Sequence, residues 1–322
     1  MAVILLASLS WCGDARAETP LPAIELSAES SDAIPVNLRA DSVWTPDSGL
    51  GSFHPEGLAR DGLGHLFALD SGRGRIARID PDGTTRVFGA GDQGGARFAQ
   101  LIAIFAGSGP DLYALDGSRS VLYRFDLDGR LRNQIAYGAD VDLGFIDAVD
   151  FALDKSGELL LLDRAGGRLL RFDRFGRFVT NLATGATGSA RLQSPTRIDL
   201  DGDGEIYVLD PPGRTIRRFS RQGEVRPAWR FDNGLSEGAG VGSQLALTPA
   251  NQVMVAARDA SWIRIFTRDG ALLYHQDLAP ELWGRLGDLA AGADSLIHLA
   301  QPQASRIEHL RVTYGDQAIP GR

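Results

Sequence analysis

Four hexapeptides decide the fold: HLFALD (His65–Asp70), DLYALD (Asp111–Asp116), ELLLLD (Glu158–Asp163) and EIYVLD (Glu205–Asp210). Each is an apolar run closed by an aspartate. QVMVAA (Gln252–Ala257) and LIHLAQ (Leu296–Gln301) repeat the pattern without the acid, and the six ends are spaced by 46, 47, 47, 47 and 44 residues. A period of that length marks a repeat protein in which each unit is one small supersecondary structure. Four residues before the end stand Leu66, Leu112, Leu159, Ile206, Val253 and Ile297; two before it stand Ala68, Ala114, Leu161, Val208, Val255 and Leu299. The columns between them are also mostly apolar. A strand apolar on both faces must be covered on both faces, and a radial stack of sheets does this for the inner strands of every sheet.

The rest of the period reads in the same terms. Nine residues after the anchor come Ile79, Phe125, Phe172, Phe219, Phe266 and Leu310, and thirteen after come Gly83, Gly129, Gly176, Gly223 and Gly270. The polar tetrapeptides ending at those glycines are tight-turn chemistry between antiparallel strands. No segment carries helical periodicity beyond a turn or two. The chain therefore predicts an all-β, six-bladed β-propeller of four-stranded antiparallel blades over residues 53–322. The sixth copy runs short of residues for its outer strand. The preceding segment, 18–52, offers strand candidates at Ala23 to Ser27 and Val36 to Leu38, so an N-terminal strand is expected to close the ring and remove the open edge.

The first unit, Pro55-Glu56-Gly57-Leu58-Ala59 through Asp61, Gly64, Leu66, Phe67 and Asp70, followed by Arg75-Ile76, Ile79-Asp80 and Gly83, resembles the NHL repeat of six-bladed propellers. Copies three and four match nearly as well, and the resemblance spans about residues 53 to 315. It implies the fold. It does not choose a function, because propellers of this type include sensors, protein-binding scaffolds, and lyases or lactonases with a metal in the central channel.

Composition bounds the function. With 33 Lys+Arg against 41 Asp+Glu the net charge is −8, which disfavours nucleic acid or an anionic membrane as partner. The stretch Ala2–Cys12 is apolar apart from its serines, and Ala15-Arg16-Ala17 follows. This is the form of a secretory signal peptide cleaved after Ala17, and it places the protein in a bacterial periplasm or outside the cell. Cys12 is the chain's one cysteine, so residues 18–322 can form neither a disulfide scaffold nor a thiol site. No other run is long enough to span a bilayer. A closed ring needs no second copy to bury its core, so a monomer is expected.

The repeat also shows where chemistry can sit. The anchors Asp70, Asp116, Asp163 and Asp210 recur at one structural position, where a short carboxylate accepts backbone N–H groups, and they read as packing devices. Thirteen residues before each anchor one column varies: Gly57, Ala103, Asp150, Arg197, Gln244 and Asp288. With His54, Glu56 and Asp147 at the same end of the blades, it marks a channel mouth with polar groups for a ligand. Of these, Glu56, Asp150 and Asp288 are the carboxylates available to an oxygen-loving divalent ion. Asp199, Asp201 and Asp203 imitate the spacing of a calcium loop, though in a hairpin turn rather than between helices. Three convergent histidines are not expected, and no Ser-His-Asp arrangement can be singled out. Trp44, Trp229, Trp262 and Trp283 fall outside the core columns and read as plugs between outer strands. Lacking an evident catalytic set, the sequence is read first as a non-enzymatic binding scaffold for a protein or glycan partner, without an obligatory cofactor. The alternative is a metal-dependent lyase or lactonase working at the channel mouth, with Glu56, Asp150, Arg197 and Asp288 in its site.

Overall fold

The computed structural model describes residues 36–46, 51–89, 98–107, 109–137, 143–182, 192–232, 242–278, 284–292 and 295–314. Among the described residues, twenty-four strands form six four-stranded antiparallel sheets. The innermost strands are Gly57–Arg60, Leu101–Ala106, Ala148–Leu153, Arg197–Leu200, Gly242–Leu247 and Leu289–Ala291, and each touches the next, including the last against the first. This is a closed six-bladed β-propeller. The signal-peptide stretch, the strand candidate at Ala23 to Ser27 and Trp283 lie outside the described residues.

Ring closure falls where the short sixth copy requires it. The strand Val36–Trp44 pairs antiparallel with Arg306–Tyr314 and becomes the outer strand of the sixth blade. The pairing bulges between Ala40 and Ser42, and an edge that would otherwise invite foreign strands is covered.

The second strands behave as their sequence demands. Leu66–Asp70, Leu159–Asp163, Ile206–Asp210 and Val253–Ala257 are buried at every position. Their two faces enter different apolar clusters, each shared between adjacent blades. Phe67 and Leu69 of blade one, for example, pack with Leu101, Leu112 and Ala114 of blade two. Turns seal the outer rim. Gly129 has φ +82°, and a Cβ there would fall 2.3 Å from the Phe88 ring of the preceding blade, so only glycine fits that contact. Trp44 meets Phe53 edge-on, and Trp229 packs on Phe266, both from outer strands. Trp262 differs from its reading as an outer plug. It lies on the third strand of blade five, fully buried, with the Arg264 guanidinium 4.2 Å above its ring.

In the first four blades the anchor aspartates tie the blade to the loop leading into it. Asp116 accepts N–H groups from Ala99 (2.7 Å), Gln100 (3.2 Å) and Arg119 (3.1 Å). Asp210 accepts from Gln193 and Ser194, both at 2.9 Å. Asp163 accepts from Asp147 and Gly166 and holds the Arg168 guanidinium at 2.6 Å. All are buried, so removing one orphans several donors at once. Asp116→Ala should cost about 3 kcal/mol of stability and Asp116→Asn about half that, since the amide keeps one acceptor; urea denaturation of the two variants checks both the size and the order.

Candidate functional site

The varying column lands where the innermost strands converge on the propeller axis. They enclose a cavity of about 200 Å³ whose polar lining includes Glu56, Arg60, Asp150, Arg197, Asp199 and Asp288. Bulges help aim this column. The pairing of Ala148–Leu153 shifts register between Ala148 and Asp150, and that of Gly242–Leu247 between Gly242 and Gln244. Each bulge sits immediately before a column residue and redirects its side chain, as bulges beside sites commonly do.

Three aspartates join neighbouring innermost strands. Asp150 Oδ1 accepts from its own strand at Phe151 N (2.9 Å), and Oδ2 from the next blade at Ile198 N (3.0 Å). Asp199 repeats this with Leu200 N and Leu247 N, both at 2.8 Å. Asp288 reaches across the ring closure to Leu58 N at 2.9 Å. Arg197 stands among them. Its Nε donates to Gln244 Oε1 at 2.9 Å and lies 3.6 Å from Asp288 Oδ1, and its Nη1 donates to the Thr196 carbonyl. Gln244 is buried behind it and donates to the Gly287 carbonyl at 2.7 Å.

Enclosure dominates the electrostatics. Burial pushes the Asp150 carboxyl up to about 7 against the opposing pull of Arg197 and the Ile198 N–H, with the Asp288 charge adding to the rise. Burial likewise raises Asp199 to about 6, and the N–H groups of Leu247 and Leu200 only partly offset it. Asp288 is raised by burial too, with Arg197 pulling the other way. A protein group near pH 7 beside a fixed cation can both accept and return a proton.

The structure thus brings Glu56, Asp150, Arg197 and Asp288 to one cavity. Asp147 turns to the surface and pairs with Arg164 at 3.0 Å, while Gln244 supports the cavity from behind. His54 bonds to Ser52 and Pro302. In the calcium-like turn the three aspartates part company. Asp199 faces the channel, and Arg268 places its guanidinium between Asp201 (2.8 Å) and Asp203 (3.1 Å), where a cation would sit. Among the described residues no three His, Cys, Asp or Glu side chains assemble as a metal set. The Arg197 guanidinium stands among the channel carboxylates, 3.6 Å from Asp288 Oδ1, so this donor set does not fit a divalent ion. Sequence reading missed Asp199 and Arg60 as channel groups. The signal was present, since the Asp199 column otherwise holds Ala59, Phe105, Ala152, Ala246 and Ala290, and the Arg60 column holds only alanine and leucine.

No family model matches the chain, and no curated protein matches it. Solved structures do. The chain is similar to a streptogramin B lyase (13% identity, TM-score 0.60, covering 88% of each chain). It is similar as well to a virginiamycin B lyase from Staphylococcus aureus (13%, TM-score 0.59, 88% of this chain and 90% of that one). A gluconolactonase of Xanthomonas campestris also matches (16%, TM-score 0.60, 89% and 99%). Their shared feature with this chain is the six-bladed propeller. They also overturn the expectation of a non-enzymatic scaffold: these neighbours are enzymes, and the channel reading, held as the alternative, takes precedence. The physical reason it ranked second is that convergence of Asp150, Arg197, Asp199 and Asp288 on one cavity exists only in the folded ring.

The raised carboxyls make a stability prediction. Their folded-state values lie above the unfolded ones, so the protonated forms favour the fold. That contribution is complete below about pH 4 and is lost as pH rises through 6 to 7. Stability measured by denaturant should fall between pH 5 and pH 8, and Asp150→Asn, which has no proton to lose, should flatten that slope.

Proposed function

We propose that the protein is an enzyme of the lyase or lactonase type with its site in the central channel. The observation that carries this reading is the presence of Asp150, with its carboxyl near 7, and the Arg197 guanidinium, held by Gln244 and Asp288, in the lining of one channel cavity. In ester ring opening, the Asp150 carboxylate takes a proton from the attacking water while Arg197 stabilises the oxyanion formed at the carbonyl. The protonated carboxyl then returns the proton to the departing ring oxygen. In an elimination the same carboxylate takes a carbon-bound proton and Arg197 stabilises the resulting anion. The double bond forms as the bond to the leaving oxygen breaks, that oxygen taking the proton back from Asp150. Asp288 holds Arg197 in place, and Glu56 at the rim is the exposed group met by an arriving substrate. No step passes through a metal, because the described channel residues, with Arg197 among their carboxylates, do not form a set for one. The solved neighbours named as lyases and a gluconolactonase support the class of reaction.

The finer resemblance to NHL repeats, carried by Pro55 through Gly83, belongs to this proposal, as does export to the periplasm or medium after cleavage at Ala17. The test is turnover of a panel of γ- and δ-lactones, followed as acid released in a pH-stat. Ring opening should occur, rise through about pH 7, and fall at least 100-fold in Asp150→Asn. Absence of turnover across the panel, or an Asp150→Asn variant as active as the parent, rejects the assignment.

A further inference from the structure

Both ring nitrogens of His54 are engaged. Nδ1 lies 2.8 Å from the Pro302 carbonyl oxygen, and Nε2 lies 2.8 Å from Ser52 Oγ. A carbonyl can only accept, so Nδ1 carries the hydrogen of the neutral ring, and Nε2 turns its lone pair to the serine hydroxyl. Pro302 is 248 positions away on blade six, so the closed ring, not the local loop, orients this imidazole. The loop itself is pinned. Arg75 donates to the Ser52 carbonyl and to Asp70, each at 2.7 Å, and stacks over the ring of Phe53, which is fully buried between the two polar residues. On the other side Gly287 fits only because it lacks a side chain, since a Cβ would fall 2.6 Å from the Pro55 carbonyl. Ser52 is exposed and His54 half-buried, so the hydroxyl is open to a reagent while the base is held.

We propose that Ser52 and His54 form a nucleophile and general base for acyl transfer from small esters at this rim of the propeller. The arrangement has the three parts such chemistry needs: a hydroxyl, a base within hydrogen-bond reach, and a group fixing the base's tautomer, here a backbone carbonyl in place of a carboxylate. Ser52 Oγ bonds to the acyl carbon as its proton passes to His54 Nε2, and the carbonyl electron pair moves onto oxygen. That pair then re-forms the carbonyl as the bond to the alkoxy group breaks, and the leaving oxygen takes the proton from His54. Water, giving its proton to His54, attacks the acyl-serine, and Ser52 departs with that proton. The exposed hydroxyl is within reach of small activated esters such as acetyl esters. This site uses none of the channel carboxylates, so it stands or falls apart from the channel activity.

The test treats the full chain with a fluorophosphonate probe, locates the label by peptide mass spectrometry, and follows p-nitrophenyl acetate for a burst. Label should reach one per chain on Ser52, vanish in Ser52→Ala, and form at least 100-fold more slowly in His54→Gln. A second variant guards against loss of fold. The thiol introduced by Ser52→Cys should react with iodoacetamide at least tenfold faster than in the Ser52→Cys/His54→Gln double variant. No label, label spread over other serines, or rates unchanged without His54 would overturn the proposal.

Discussion

The rest of the structure depends on second strands that are apolar on both faces. A single sheet cannot satisfy such a strand, because one face or the other would meet water, and burial of a leucine or isoleucine side chain contributes about 2 kcal/mol. Stacking six sheets radially covers both faces of every copy, and the clusters shared between successive blades are the direct result. A radial stack then has to close. The sixth blade borrows Val36–Trp44 for its outer strand, so the last blade is built from two distant parts of the chain.

Closure is also what makes the channel. Six innermost strands meet around a narrow axis, and side chains that would be ordinary surface groups on an open sheet become enclosed. Asp150, Asp199 and Asp288 offset that enclosure by accepting backbone N–H groups across blade boundaries. The compensation is incomplete, and all three carboxyls are raised from their usual value, Asp150 to about 7 and Asp199 to about 6. The same constraint therefore builds the fold and sets the protonation chemistry of its centre. Arg197 sits within that field as the guanidinium closest to Asp288. The rim pair Ser52 and His54 depends on closure in another way, because its orienting carbonyl comes from the far end of the chain.

Much of the site was legible as positions but not as an assembly. Asp150, Arg197 and Asp288 stood out because their column varies while its neighbours stay apolar, and Glu56 by its place at the same end. Asp147 and Gln244 share that end of the blades, yet one pairs outward with Arg164 and the other packs behind Arg197. Side-chain direction at those points is set by bulges and loop paths that a column alignment does not contain. Asp199 was read with Asp201 and Asp203 because it is close to them in sequence. Asp199 belongs to the strand Arg197–Leu200, whereas Asp201 and Asp203 belong to the turn that follows it, so neighbours along the chain need not share a site.

The sequence by itself determined the all-β class, the number of blades and the need for a borrowed strand, because period, strand burial and turn glycines are local properties repeated six times. The tertiary structure alone decided which polar groups share the cavity, how far burial raises their carboxyls, that Arg268 fills the calcium-like turn, and that Pro302 orients His54. Those facts rest on distances between residues tens to hundreds of positions apart, and such distances exist only once the ring has closed.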